Sequence, residues 1–178
     1  MKGVCHFVTT KLKLNVNEAK SAVARPWERK FLGFSFTNGK KPKRRLAPKT
    51  LLRFKERVRE LTRRTRGVSL TQMVKQLATY LHGWRGYFAF CETPTVLEGL
   101  NSWIRRRLRS VVWKQWKRGV KRYAELRAHG VRRNLAARTA GSAHGPWRIS
   151  RSPALSFALP DALFASLGLP ALHVRDPA

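Results

Sequence analysis

The chain has 178 residues and 43% hydrophobic content, enough to bury a core as one ordinary domain or two small ones, which excludes a disordered polycation. Its formal net charge of +29, from 38 Lys and Arg against nine acids, is several-fold beyond the roughly 2 to 8 charges that keep a small domain soluble. Such a compact state repels itself unless a polyanion shares its field, so nucleic acid is the expected partner.

In chain order, KLKLNVN alternates Leu12, Leu14 and Val16 with polar residues and predicts a strand. FLGFSFT, residues 31–37, predicts a second, with KLKLNV as the partner on offer. Residues 39–45, with Gly39 and a run of lysines, read as a linker or basic loop. Residues 49–66 place Leu51, Phe54, Val58, Leu61 and Thr65 on one stripe with Arg53, Arg57, Arg63 and Arg64 largely off it, a helix with one buried side that Gly67 ends. Ser69 with Gln72 opens a second helix, whose near-neutral stripe is Met73, Val74, Leu77, Leu81, Trp84 and Phe88. A third starts at Thr93-Pro94, or at Thr95 with Glu98, and runs through Val96, Leu97, Leu100, Trp103, Ile104, Leu108 and Val111 toward Trp116. After Gly130 the pattern predicts a short helix over residues 132–139, a loop over 141–147 and a helix from Ser152-Pro153 to near Pro160. Asp161 is placed to cap a last short helix, closed by Gly168 and Pro170.

The charge is patterned along the chain. Residues 40–66 hold 13 basic side chains against Glu56 and Glu60, residues 103–133 hold 12 against Glu125, and the stretch between them is neutral. The first segment offers Lys40, Lys41, Lys43, Arg44, Arg45, Arg53, Arg63 and Arg64 as phosphate contacts. The second offers Arg105, Arg106, Arg107, Arg109, Lys114, Lys117 and Arg118, expected to project outward while the stripe packs inward. Trp103 reads as core. Trp113 and Trp116, three apart among cations, suit either core packing or stacking on unpaired bases.

Other chemistries find little support. Phosphoryl-transfer enzymes cluster carboxylates around metal ions, and the two aspartates here, Asp161 and Asp176, both fall near the end of the chain. No phosphate loop, nucleophile elbow or HExxH helix is encoded, and His82, Cys91 and Glu92 read as core or surface residues. Cys5 and Cys91 lie far apart without a CxxC partner, and the five histidines are scattered, which predicts neither a disulfide framework nor a metal site and suggests a reducing compartment. No apolar run is long enough to span a membrane, and the N-terminus is too soon charged to read as a signal peptide. The expectation is a chain without catalytic residues or cofactor.

Taken in order, KLKLNVNEAKSAVARPWERKFLGFSFT, APKTLLRFKERVRELTRRTRGVSL, YLHGWRGYF, TPTVLEGLNSWIRRRLRSVVWKQWKR and GPWRISRSPAL closely resemble the C-terminal part of bacterial group II intron-encoded reverse transcriptases, or maturases. The likeness runs from about Lys11 to Leu172. It implies a mainly α fold, with residues 1–39 as the end of a palm, 40–125 as a thumb or maturase helical bundle, and 126–178 as a nucleic-acid-binding extension. It implies group II intron RNA as partner, with DNA or an RNA–DNA duplex as further ligands, in the bacterial cytoplasm. In the family a Tyr-Ala-Asp-Asp metal site precedes the KLKLNVN-like segment, and Met1 falls after it, so no catalytic residue carries over. The chain alone is then expected to be a non-catalytic RNA-binding module. The alternatives are a thumb subunit completed by a separate fingers-and-palm polypeptide and a mobile-element remnant without function.

Overall fold

The computed structural model describes residues 2–17, 21 and 23–173, and Asp176 and residues 18–20 and 22 lie outside them. Helix α1 (Lys2–Thr10) opens the chain and contributes no fully buried residue among those described. The strand expected at Leu12 to Val16 does not form: the backbone there is irregular, Lys13 has φ 50°, and Leu12 and Leu14 are exposed. A strand alternates usefully only when one face meets apolar surface, and none covers these leucines.

Strand β1 (Phe34–Phe36) instead pairs antiparallel with β2 (Arg44–Leu46), in the register Phe34 with Leu46, Ser35 with Arg45 and Phe36 with Arg44. Part of the expected basic loop is therefore a strand. The local partner wins because the connection is short and self-bonded: Thr37 N donates to Lys43 O at 3.0 Å and Lys43 N to Thr37 Oγ1 at 2.9 Å. The hairpin docks through Phe34, whose ring lies 5.3 Å from Phe88, in an aromatic row that continues through Trp84 to Phe54.

Gly33 makes this docking possible. Its φ of +81° is left-handed, and its carbonyl accepts from Ala47 N at 2.9 Å and from Thr50 Oγ1 at 2.8 Å. A Cβ there would stand 3.0 Å from the Phe88 ring and 3.1 Å from Thr50 Oγ1. Gly33→Ala is expected to cost about 1–3 kcal/mol through strain alone, read as a lower midpoint in thermal unfolding.

Three helices follow and carry the first half of the core. In α2 (Pro48–Leu61), Pro48 occupies the first turn, where its missing N–H costs nothing, and Phe54 and Val58 are buried as the stripe requires. The helix is shorter than the expected 49–66 and stops at Thr62, leaving Thr65 exposed; Gly67, at φ +68°, turns the chain. In α3 (Leu70–Phe88), Ser69 Oγ accepts from Gln72 N at 3.2 Å, the expected cap, and Met73, Val74, Leu77 and Leu81 are buried. Helix α4 (Pro94–Gln115) is the longest and buries residues on several sides, Leu97, Ile104, Leu108, Val111 and Trp113 among them.

Lys117, at φ 38°, then breaks the helical path into α5 (Gly119–Ala128), which the apolar pattern does not reveal because Leu126 is its only buried residue. Helix α6 (Arg133–Ala140) matches the predicted short helix within a residue. Inside the expected loop lies the single turn α7 (Pro146–Ile149). Helix α8 (Pro153–Ala158) is capped by Ser152 Oγ, which accepts from Leu155 N. In α9 (Asp161–Ser166) the cap position belongs to Pro160, and Asp161, expected as the cap, turns its carboxylate elsewhere. A single buried cluster extends from Leu46 through α2–α4 to Leu155, Phe164 and Leu172, so the C-terminal helices share the core of the first three.

Candidate nucleic-acid interface

The two basic segments lie far apart in sequence, and the fold brings part of each to one groove. From α2 and the turn after it come Arg59, Arg63, Arg64 and Thr65, with Arg107 of α4 beside them. Arg64 and Thr65 also border a second cleft with Lys114 and Gln115 at the end of α4, Lys117 in the break and Arg122 of α5. Arg64 and Thr65 border both clefts, which are therefore neighbours and together make up the channel. Glu56 and Glu60 line its far end, where Glu60 is held by Arg57 at 2.7 Å.

Internal bonds shape this channel. Arg107 Nε donates to Thr62 Oγ1 at 2.7 Å and its Nη2 to the carbonyls of Thr62 and Arg59 at 3.3 and 3.4 Å, so it satisfies the open carbonyl end of α2. Burial, and then the neighbouring Arg59 and Arg64 charges, push its pKa below the usual guanidinium range. Gln115 Nε2 donates to Val68 O at 2.9 Å and ties the α2–α3 turn to α4. Arg66 donates to Leu61 O and Gln76 Oε1 and stiffens the same turn. By contrast Arg63, Arg64, Lys114 and Lys117 are exposed, and no described residue accepts a hydrogen bond from their side chains.

Other predicted contacts lie elsewhere. Lys40, Lys41, Lys43, Arg44 and Arg45 are exposed at the β1–β2 hairpin, where Arg44 pairs with Glu92 at 3.2 Å and covers the Phe90 ring at 5.7 Å. Hydrogen bonds from the Arg44 backbone and side chain hold the Glu92 carboxyl below its usual range. Arg53 borders a separate aromatic cleft with Tyr80, Trp84 and Tyr87. Arg118 is exposed at the start of α5.

The remaining α4 arginines do not project into solvent as expected. Arg105 and Arg109 grip Asp161 at 3.1 and 2.9 Å, Arg109 Nε donates to Leu159 O at 2.9 Å, and Arg106 Nη2 donates to Trp147 O at 3.0 Å with its guanidinium 3.8 Å from that indole. The physical reason is that α7–α9 fold back over this face of α4 and supply it with carbonyls and a carboxylate.

The tryptophans are also redistributed. Trp113 is 0% exposed and Trp116 7%, so neither offers a ring face to a base in this conformation. Arg122 lies 4.7 Å over the Trp113 ring, and Trp116 stacks on His129 at 6.3 Å. Trp103, expected in the core, is only partly buried, with Arg107 and Arg59 at 5.4 and 5.9 Å from its ring. The sequence reading missed Arg59, Gln115 and Arg122. Arg59 could have been found from its place one turn before Arg63; Arg122 could not, since α5 itself was not visible.

Geometry of this kind defines a class, a basic helical bundle with its free cations gathered along a channel across the longest helix. Residues 51–130 match the family described as group II intron, maturase-specific domain, and the match covers α2 from Leu51, all of α3–α5 and every residue of the channel. Over these residues the chain is similar to the maturase-specific domain of group II intron proteins, which supports the C-terminal region of a maturase or reverse transcriptase and implies a maturase role in group II intron splicing. A comparison with curated proteins gives no match. No helix among the described residues is long and apolar enough to cross a membrane.

Proposed function

We propose that this chain is a non-catalytic maturase module that binds group II intron RNA along the α2–α4–α5 channel and holds it in its splicing-competent fold. One observation carries the reading: residues from both basic segments converge at Arg64, with Arg63, Lys114 and Lys117 left free of internal partners. Catalysis then belongs to the RNA, and the protein offsets the repulsion between phosphates brought together as the RNA compacts.

Binding should be tight and strongly salt-dependent. With about six phosphates neutralised, log K against log salt should fall with a slope near −5 for duplex and −4 for single strands. Filter binding across a salt series measures this, and a slope shallower than about −2 would remove the channel's role.

A second reading, a thumb subunit for a separate fingers-and-palm polypeptide, draws on the exposed apolar groups beside the hairpin. Phe31 is 75% and Leu32 64% exposed, and Tyr87, 52% exposed, donates to Leu32 O at 3.2 Å. Co-purification with such a polypeptide, lost on Phe31→Ser with Leu32→Ser, tests it. On this reading residues 1–39, 40–125 and 126–178 act as palm end, thumb and extension.

A further inference from the structure

The fold-back of α7–α9 onto α4 creates a second cationic recess, separate from the channel. It is lined by Ser102, Arg106 and Arg109 of α4 and by Ser150, Arg151 and Ser156 of the C-terminal segment, with an edge of Trp103. At about 410 Å³ it has the size of a small-ligand site, and none of its lining residues is a carboxylate. On α4, Arg106, Ser102 and Arg109 lie roughly 100°, 140° and 160° around the helix from Arg107, which faces the channel.

The recess has the parts of an oxyanion cradle. Arg106 is locked by three contacts: Nε to Ser150 Oγ at 3.3 Å, Nη2 to Trp147 O at 3.0 Å, and the stack on the Trp147 ring. Its Nη1 has no hydrogen-bond partner among the described residues. Ser150, only 1% exposed, donates to Trp147 O at 2.7 Å and so is fixed as an acceptor for Arg106. Arg151 and Ser156 are exposed at the rim, and no described residue bonds to their side chains. Arg106 also feels the like charge of Arg151, which, after burial, pushes its pKa down; a bound anion would relieve that repulsion.

We infer that this recess takes a backbone phosphate of a second nucleic-acid segment, so that one protein grips two helices on two faces of α4. The inference rests on the RNA-binding reading of the channel. A guanidinium held in place by a serine and an indole presents its remaining N–H groups without a further ordering cost, and the rim hydroxyl and Arg151 complete a cradle for a phosphodiester oxygen. Two separate grips would let the module bring intron helices together rather than merely coat one.

The test uses the full chain and two short RNA duplexes carrying a donor and an acceptor fluorophore. Wild type should bring them together and give energy transfer. Arg151→Glu with Ser156→Glu, at positions whose side chains hold nothing in the fold, should keep single-duplex affinity near wild type while bridging affinity falls about tenfold or more. Transfer that survives in this double variant, or single-duplex binding by wild type with no transfer, overturns the second grip and leaves the channel intact. Absence of any RNA binding overturns both. Inorganic phosphate added against a chloride control of equal ionic strength should compete for the recess and lower bridging selectively; bridging that phosphate leaves untouched at saturating level overturns the proposal.

Discussion

Reversing Arg64, Lys114 and Lys117 to Glu should weaken binding to intron RNA by about a hundredfold or more, on all RNA sequences alike. These three side chains border the second cleft and none serves an internal bond among the described residues, so on the proposed reading their reversal removes phosphate contacts without removing a support of the fold. The salt slope should fall by about 2 to 3, matching three lost contacts. Circular dichroism should be unchanged. Arg53→Glu, on the aromatic cleft, serves as the comparison and should cost little. The arginines at 105, 106 and 109 would make poor test positions, because their reversal breaks contacts to Asp161, Leu159 and Trp147 and confuses binding with folding. Affinity for the triple variant equal to wild type would place the interface elsewhere.

Trp113→Ala should destabilise the fold by about 3–5 kcal/mol, more than the strain at Gly33→Ala. The indole is fully enclosed, 6.0 Å from Trp116 and beneath Arg122, so its removal leaves a cavity the size of an indole in the core. In a chain of this length that cost lowers the thermal midpoint by roughly 6–20 °C. Trp113→Phe separates packing from base stacking. It should keep most of the stability and, at a temperature where it remains folded, bind RNA as wild type does. Loss of affinity without loss of stability would show that Trp113 turns outward to a base after all.

The core of α2–α4 was legible because its signal is local. Phe54, Val58, Met73, Leu77, Leu81, Ile104, Leu108 and Val111 fall on helical stripes and are all buried, and the Ser69 cap can be read from two residues. The partner of β1 was not, because pairing depends on what lies opposite in space, and KLKLNV offers the better alternation while Arg44–Leu46 offers the shorter loop. The α4 arginines mislead for a related reason. An arginine off the apolar stripe is assumed to meet water, but Arg105, Arg106 and Arg109 meet a segment some 40 to 50 residues further on. Periodicity carries no trace of that segment's Asp161 carboxylate or of the Trp147 and Leu159 carbonyls. The channel was half visible: its two basic segments stand out as charge, but only folding shows that Arg64 is where they meet.

The attachment of the C-terminal segment also bears on the order in which the protein can be completed during synthesis. Leu172 N donates to Asn101 Oδ1 at 3.0 Å, Arg85 to Ala171 O at 3.4 Å, and Asp161 closes on Arg105 and Arg109. Helices α2–α4 can collapse on one another as they leave the ribosome, since their contacts are near in sequence. One flank of α4, with Asn101 and two arginines, stays open until residues 159–172 are made. A nascent chain therefore passes through a stage in which unsatisfied guanidinium groups face the crowded, RNA-rich surroundings of its own translation. Once residues 159–172 emerge they withdraw those groups from competition, leaving the cations of the channel as the exposed ones.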